Sequence, residues 1–353
     1  MAADSIVAET ATRIFRDRCD PQAIIRAGED GWKAGAWGAL EDAGLPLAWV
    51  PDEFGGAGAD IADGFAVLRE TGRFAVALPV AETMLAGWLL AQAGISSPRG
   101  AMTCGPVRDG DRVTLAKNGT LTGRLRAVAF AKDAQHIALV AEREGGGLAV
   151  ALVEKSAVRV GDGASAAGDA QGAVTFDRTT PVAVKDAPAG FDAESLQLMG
   201  AAVRAMQITG AMEAILDMSV GYANERVAFG RPIGKFQAVQ HNLARLAGEA
   251  AAALAAAGSA ADAIANGAAE EAMFLEAASA KIRAGEAAGE GAAIAHQVLG
   301  AIGFTREHTL HRFTQRLWAW RDDFGNESQW AVKLGNRIAA NGADALWPML
   351  AAR

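Results

Sequence analysis

Two long helical patterns that cannot be one helix set the terms for this chain. Leu196, Met199, Val203, Met206, Gly210, Glu213, Asp217 and Tyr222 recur at roughly helical spacing, and Leu243, Leu246, Ala250 and Leu254 share one face of a second helix. Between them Gly230, Pro232 and Gly234 forbid a helix for one turn. The link they force, R-V-A-F-G-R-P-I-G-K-F-Q from Arg226 to Gln237, carries cationic side chains and an aromatic. Arginine forks on such a link suit a diphosphate. An ordinary helix–helix loop with solvated arginines has the same spacing.

The chain divides by period into residues 1–98, 99–190 and 191–353. The first stretch reads as helices joined by short turns. Trp32, Trp37, Leu40 and Ala43 form an amphipathic segment ending at Gly44, and Val80 to Gln92 forms another helix. Gly44 to Asp60 is glycine-rich. Gly55, Gly56 and Gly58 could cradle a phosphate, but no P-loop lysine or Ser/Thr follows, which favours a tight turn between helices. From 99 to 190 short β-type runs appear at Arg112–Leu115, Ala127–Phe130, His136–Ala141, Leu148–Val153 and Ala173–Phe176, separated by N-G, D-G and G-G-G turns. That spacing predicts a small antiparallel β domain. The last stretch returns to helices, with Ala244–Ala265 and Glu270–His296 broken at Gly267, and predicts a four-helix bundle.

Composition excludes several classes. Half of the 353 residues are apolar and the net charge is −8, which argues against a nucleic-acid binder. No uninterrupted apolar run reaches the length of a membrane span and the N-terminus lacks a signal-peptide pattern, so a cytoplasmic protein with no membrane partner is expected. Cys19 and Cys104 form neither a disulfide framework nor a zinc motif. His308 and His311 have metal-ligand spacing but no third ligand nearby, and no metal is expected. No dinucleotide-binding glycine fingerprint follows a predicted strand, and no serine sits in a nucleophile elbow.

The link itself, R-x-x-F-G-x-x-I-x-x-F-Q, resembles the corresponding helix link of the acyl-CoA dehydrogenase family. V-P-D-E-F-G-G-A-G at 50–58 is similar to a turn in that family's N-terminal helical domain, and residues 120–141 resemble its middle domain. Gln297, Gly300, Ala301 and Gly303 match its Q-x-x-G-G-x-G segment, with Ala301 replacing the second glycine. The resemblance implies three parts: an N-terminal helical domain, a β-barrel or sandwich, and a C-terminal four-helix bundle. It also implies FAD as cofactor, an acyl-CoA substrate and an electron-transfer flavoprotein as acceptor. Arg226, Phe229 and Gln237, with the 297–303 segment, would then approach the ADP half of FAD across a subunit interface.

Three departures from the family stand out. The tryptophan that stacks on the flavin is absent from Ala127-Val128-Ala129-Phe130. The segment that covers flavin and substrate is reduced to Cys104-Gly105-Pro106. The glutamate that takes the α-proton is missing from both of its usual places, which here are Gly200, 26 residues before Arg226, and Phe324. Asp323 is the adjacent substitute. This combination resembles the smaller, base-lacking subunit of heterotetrameric acyl-CoA dehydrogenases, including those acting on steroid side chains, partnered by a related subunit. The alternatives are a homo-oligomer using Asp323 as base and a scaffold that has lost flavin.

Overall fold

The computed structural model describes residues 5–28 and 30–351. Five helices come first: α1 (Ile6–Arg18), α2 (Pro21–Ala27), α3 (Trp32–Asp42), α4 (Ile61–Arg73) and α5 (Val80–Gln92). The side chains of Ser5 and Asp20 cap α1 and α2 by accepting from Ala8 N and Ala23 N at 3.3 and 2.7 Å. Helix α5 is buried on nearly every face, which explains its almost uninterrupted apolar sequence. The glycine-rich stretch between α3 and α4 folds back on itself, with Gly58 N donating to Val50 O and Ala59 N to Ala48 O. A Cβ at Gly56 would lie 2.0 Å from Val50 O, so this glycine lets two backbones cross.

One sheet of eight strands follows: β1 (Met102–Gly105), β2 (Arg112–Leu115), β3 (Leu121–Ala129), β4 (His136–Arg143), β5 (Leu148–Glu154), β6 (Arg159–Val160), β7 (Gln171–Thr179) and β8 (Ala183–Asp186). Its order is β6-β7-β3-β2-β4-β5-β8, with β1 also on β4. Most pairings are antiparallel, but β1 and β2 both run parallel to β4, at 102–105 against 136–139 and at 114–115 against 142–143. The chain keeps its direction between β1 and β2, so both meet β4 with the same polarity. Alternation in β2, exposed-buried-exposed-buried, places Val113 and Leu115 on the inner face.

The C-terminal helices are α6 (Ala193–Glu225), α7 (Gln237–Ala265), α8 (Glu270–Leu299), α9 (Leu310–Asp322), α10 (Glu327–Asn341) and α11 (Ala343–Ala351). Strands β9 (Val227–Ala228) and β10 (Arg231–Pro232) make a two-stranded hairpin inside the link between α6 and α7. Asp192 and Ser195 form a reciprocal cap that starts α6. Helices α4 and α6 meet through glycine. A Cβ at Gly72 would lie 1.9 Å from Gln207 O, and one at Gly210 would lie 1.9 Å from Arg69 O. Arg69 then reaches Glu213 at 2.6 Å along the same contact. Buried alanines at 253, 257, 260 and 261 on α7, and at 277 through 295 on α8, allow close helix approach. The chain is mostly helical with a middle sheet, as the periodicity predicts. No helix among the described residues is long and apolar enough to cross a membrane.

Candidate functional site

The predicted cofactor segments gather at one end of the bundle. Helix α6 ends at Arg226, α7 starts at Gln237, and α8 runs back antiparallel to α7 and ends at Leu299. Thr309 Oγ1 lies 3.9 Å from Met218 Sδ, so the segment after α8 sits against the last turns of α6. Arg226, Gln237, Gln297 and Ala301 are exposed, while Gly303 is buried beneath them against Leu299 and Leu310. Phe229 is 96 % exposed and holds a positive φ of 52°. Its ring meets Phe236 edge-on at 6.2 Å, and Arg231 lies 4.3 Å from the Phe236 centroid. Gly300 ends α8 with φ 64° and leaves open space where a Cβ would stand. The side chains of Arg226, Gln237 and Gln297 bond to no other described residue, so this end of the bundle faces outward with its donors free.

The two positions where a glutamate base is expected lie against each other. A Cβ at Gly200 would stand 2.3 Å from Phe324 Cδ1, because the buried Phe324 ring covers α6 at that point. Phe324 has a φ of 53°, and its carbonyl accepts from Trp330 Nε1 at 2.8 Å. That hydrogen bond fixes the backbone at Phe324, while its buried ring packs on Gly200 with the Arg204 guanidinium 5.9 Å from its centroid.

Asp323, next to it, is 3 % exposed and committed to internal partners. Its Oδ2 is 3.1 Å from Arg204 Nη2, its Oδ1 accepts from Gln171 Nε2 at 3.2 Å, and Arg108 Nη2 lies 3.8 Å from Oδ1. Arg204, itself fully inside the protein, also binds Glu82 Oε1 of α5 at 2.6 Å and Gln207 Oε1 at 2.6 Å. The buried Lys281 of α8 donates to Arg321 O at 2.5 Å. One guanidinium thus ties together α5, α6 and the end of α9, while Gln171 and Arg108 join the sheet to the same point.

The electrostatics follow from burial. Burial pulls Arg204 down, but Glu82 and Asp323 together push it above the usual arginine value, so it stays charged. Two carboxylates share this one cation. Glu82 is pushed up, mainly by burial and also by the Asp323 charge, against the pull of Arg204. Burial lowers Lys281 to about 7, with Arg204 adding to the effect and Asp323 opposing it. Burial also pushes the Cys104 thiol up to about 12.

A second bridge joins sheet and bundle. Arg316 of α9 holds both oxygens of Asp169, at 2.7 and 3.0 Å, and Arg108 Nη1 donates to Asp322 O. The cleft between the sheet and α9 is therefore crossed by direct polar contacts. At the segment that would face a flavin ring, Ala129 O accepts from Thr103 Oγ1 at 2.7 Å and Phe130 N donates to Ala170 O at 2.6 Å. The Phe130 N–H is thereby spent and the residue is 8 % exposed, so this segment offers no free backbone donor at Phe130 and no exposed ring for an isoalloxazine to stack on. The free donors at the bundle end do suit phosphate oxygens.

The buried cluster of Glu82, Arg204 and Lys281 was not among the residues singled out from sequence. Its signal was present: Arg204 interrupts the apolar run Ala201–Val203, and Lys281 stands within an alanine-rich helix. Long charged side chains are almost never fully buried without partners. A cavity of about 580 Å³ lies instead between Trp88 and Phe191, whose rings are 6.1 Å apart, and the starts of α6 and α8. None of the predicted site residues lines it.

Comparison with known proteins agrees with this architecture. The acyl-CoA dehydrogenase N-terminal domain matches residues 2–97 and the acyl-CoA dehydrogenase C-terminal domain matches residues 190–321. The acyl-CoA dehydrogenase IpdE2 of Mycolicibacterium smegmatis is 30% identical over 317 residues, covering 88% of this chain and 91% of its own. The structure of the ChsE4–ChsE5 complex from Mycobacterium tuberculosis superposes with a TM-score of 0.84 at 25% identity, over 96% of this chain and 99% of that one. A structure of the Tcur3481–Tcur3483 steroid ACAD shares the fold with a TM-score of 0.83 at 24% identity, over 96% and 98% of the two chains. With its N-terminal helices and C-terminal bundle each matched and a full-length relative at this identity, the chain belongs to the acyl-CoA dehydrogenase family.

Proposed function

We propose that this chain is the base-lacking subunit of a heteromeric, FAD-dependent acyl-CoA dehydrogenase. The observation that carries this reading is the contact of Gly200 with the Phe324 ring, which fills both places for a catalytic glutamate with one apolar side chain. Asp323 acts in this reading as the buried counter-ion of Arg204, because its oxygens already face Arg204, Gln171 and Arg108. It is not the base. The free Arg226, Gln237 and Gln297 side chains, with Gly300, Ala301, Gly303 and the exposed Phe229, favour a retained role in holding the ADP half of a partner's FAD over a flavin-free scaffold.

When bound, the flavin supplies the hydride acceptor for the substrate's β-carbon. This chain's contribution is the cationic, aromatic bundle end that grips phosphate and adenine. The proton acceptor comes from the related subunit. Likeness to the ChsE4–ChsE5 complex supports a second, related chain, and the steroid ACAD neighbour supports a bulky acyl-CoA as substrate. An electron-transfer flavoprotein is the acceptor in this scheme, and the assembly is cytoplasmic.

The test compares the chain alone with the chain co-expressed with a related subunit that carries a glutamate at one of the two positions. Anaerobic addition of an acyl-CoA is expected to bleach flavin only in the complex, with Asp323→Asn leaving bleaching by the complex unchanged. The reading fails if the single chain, supplied with FAD, bleaches it and Asp323→Asn removes that bleaching. A loss of a positioned base costs about 10²–10⁴-fold in rate, so the two outcomes are well separated.

A further inference from the structure

Beside the Arg316–Asp169 bridge lies a small polar cavity of about 210 Å³, between the N-terminus of α3, the loop before β7 and one face of α9. It is smaller than the roughly 300–1,000 Å³ sites that enclose drug-sized molecules. Its walls carry an excess of donors. Trp32 Nε1, Arg312 Nε and Nη2, and Arg316 Nε are all buried and without an acceptor among the described residues. Arg316 is 3 % exposed, and its other nitrogens are spent on Arg312 O and Asp169. Buried donors are paired in nearly all proteins, so four orphans around one cavity call for an acceptor.

The charges give the same sign. Lys33 pairs with Asp30 at 2.9 Å and Arg316 with Asp169 at 2.7 Å. Arg312 forms no direct ion pair with any described residue, and the two carboxylates whose charges reach it, Asp169 and Asp30, are already paired with Arg316 and Lys33. The nearby Cys19 thiol does not serve as its counter-ion, because burial pushes that thiol up to about 12 and keeps it neutral. Burial, and then the charge of Arg316 one turn away, lowers Arg312 itself to about 10, which still leaves it charged at neutral pH. Helix α3, 11 residues long, opens at Gly31 with no side-chain cap, and its first residues Trp32 and Lys33 line the cavity. Lys33 N donates to Asp30 O at 3.0 Å, and the helix N-terminus adds positive potential at this end of the cavity.

We propose that this cavity is a binding site for a phosphate-class oxyanion, held by Arg312, Arg316 and the Trp32 indole N–H at the N-terminus of α3. Donors converging from two helices suit a tetrahedral group with several oxygens better than a planar carboxylate, which a single guanidinium fork would satisfy. None of Arg226, Gln237 and the 297–303 segment lines this cavity, and the site does not depend on the reading of the bundle end.

Thermal unfolding of the full chain tests the site, with inorganic phosphate titrated against chloride at matched ionic strength. The wild-type midpoint is expected to rise saturably with phosphate. Arg312→Met, which removes an unpaired buried cation, is expected to melt higher than wild type in phosphate-free buffer and to respond to phosphate no more than to chloride. Trp32→Phe, which deletes only the N–H, keeps the fold and is expected to weaken phosphate binding about five- to tenfold by calorimetry. A second titration with glycerol phosphate separates the sources. Binding as tight as inorganic phosphate assigns the head group of a phosphomonoester, and binding of inorganic phosphate alone assigns the free ion. The proposal is overturned if wild type, Arg312→Met and Trp32→Phe respond equally to phosphate, or if Arg312→Met is the less stable protein in its absence.

Discussion

At the scale of the residue, Lys281 turns burial into a pH response. Its folded pKa is about 7 against an ordinary 10.5, with burial the main cause. Below pH 7 folded and unfolded chains both carry the proton. Between 7 and 10.5 only the unfolded chain holds it, so stability rises with pH across that window, by at most about 1.4 kcal/mol per unit. Cys19 and Cys104 act in the opposite direction, because each has a folded pKa of about 12 against 9.0. Above pH 9 the unfolded thiols lose protons that the folded ones keep, and stability falls. Urea unfolding from pH 6 to 10.5 should therefore show a stability maximum near pH 9. In Lys281→Met the rise from 7 to 9 should flatten while the fall above 9 remains. An unchanged rise would mean that Lys281 is not its source.

At the scale of the element, the ion cluster around Arg204 holds α5, α6 and the end of α9 together. Removing Arg204 leaves the buried Glu82 without its cation and Asp323 with only the more distant Arg108 as an ion-pair partner. Arg204→Met should cost about 3–5 kcal/mol by urea denaturation, the usual penalty for breaking a buried pair from one side. Adding Glu82→Gln and Asp323→Asn should recover a large part of that loss, and a triple variant no better than the single one would exclude the shared-cation arrangement. Period and breakers made most elements legible in the sequence. Val80–Gln92 and Arg112–Leu115 have the predicted bounds, and Gly267 separates α7 from α8. β1, β6 and β8 were not legible: β6 has only two residues, and Met102–Gly105 and Ala183–Asp186 lack the exposed–buried alternation that gives the equally short Arg112–Leu115 its polar–apolar pattern. Gly200 and Phe324 could be singled out by resemblance to a family motif, but their mutual contact could not. It depends on the tertiary path that brings the end of α9 over the first turns of α6. Arg204, Glu82 and Lys281 are far apart in sequence for the same reason, and only their burial identifies them as a unit.

At the scale of the whole molecule, the outward-facing end of the bundle is where assembly would matter. Arg226→Ala removes charge-assisted hydrogen bonds of about 1.5–3 kcal/mol to a bound pyrophosphate, if the proposed cofactor contact is made. Flavin retention by the assembled oligomer should weaken about tenfold or more, measured by fluorescence recovery on release. The thermal midpoint of the isolated chain should not move, because this side chain is exposed and bonds to no described neighbour. Equal retention would remove Arg226 from the cofactor site. The closed cleft between the sheet and α9 also has a numerical consequence. In the proposed division of roles, a chain whose own sheet is tied to its bundle by Gln171–Asp323 and Asp169–Arg316 hosts no ring there and donates its bundle end to a neighbour. Stoichiometry then records the division of labour. An assembly of equal numbers of the two chains should contain one flavin for every two polypeptides, half the loading of an oligomer in which every chain hosts its own.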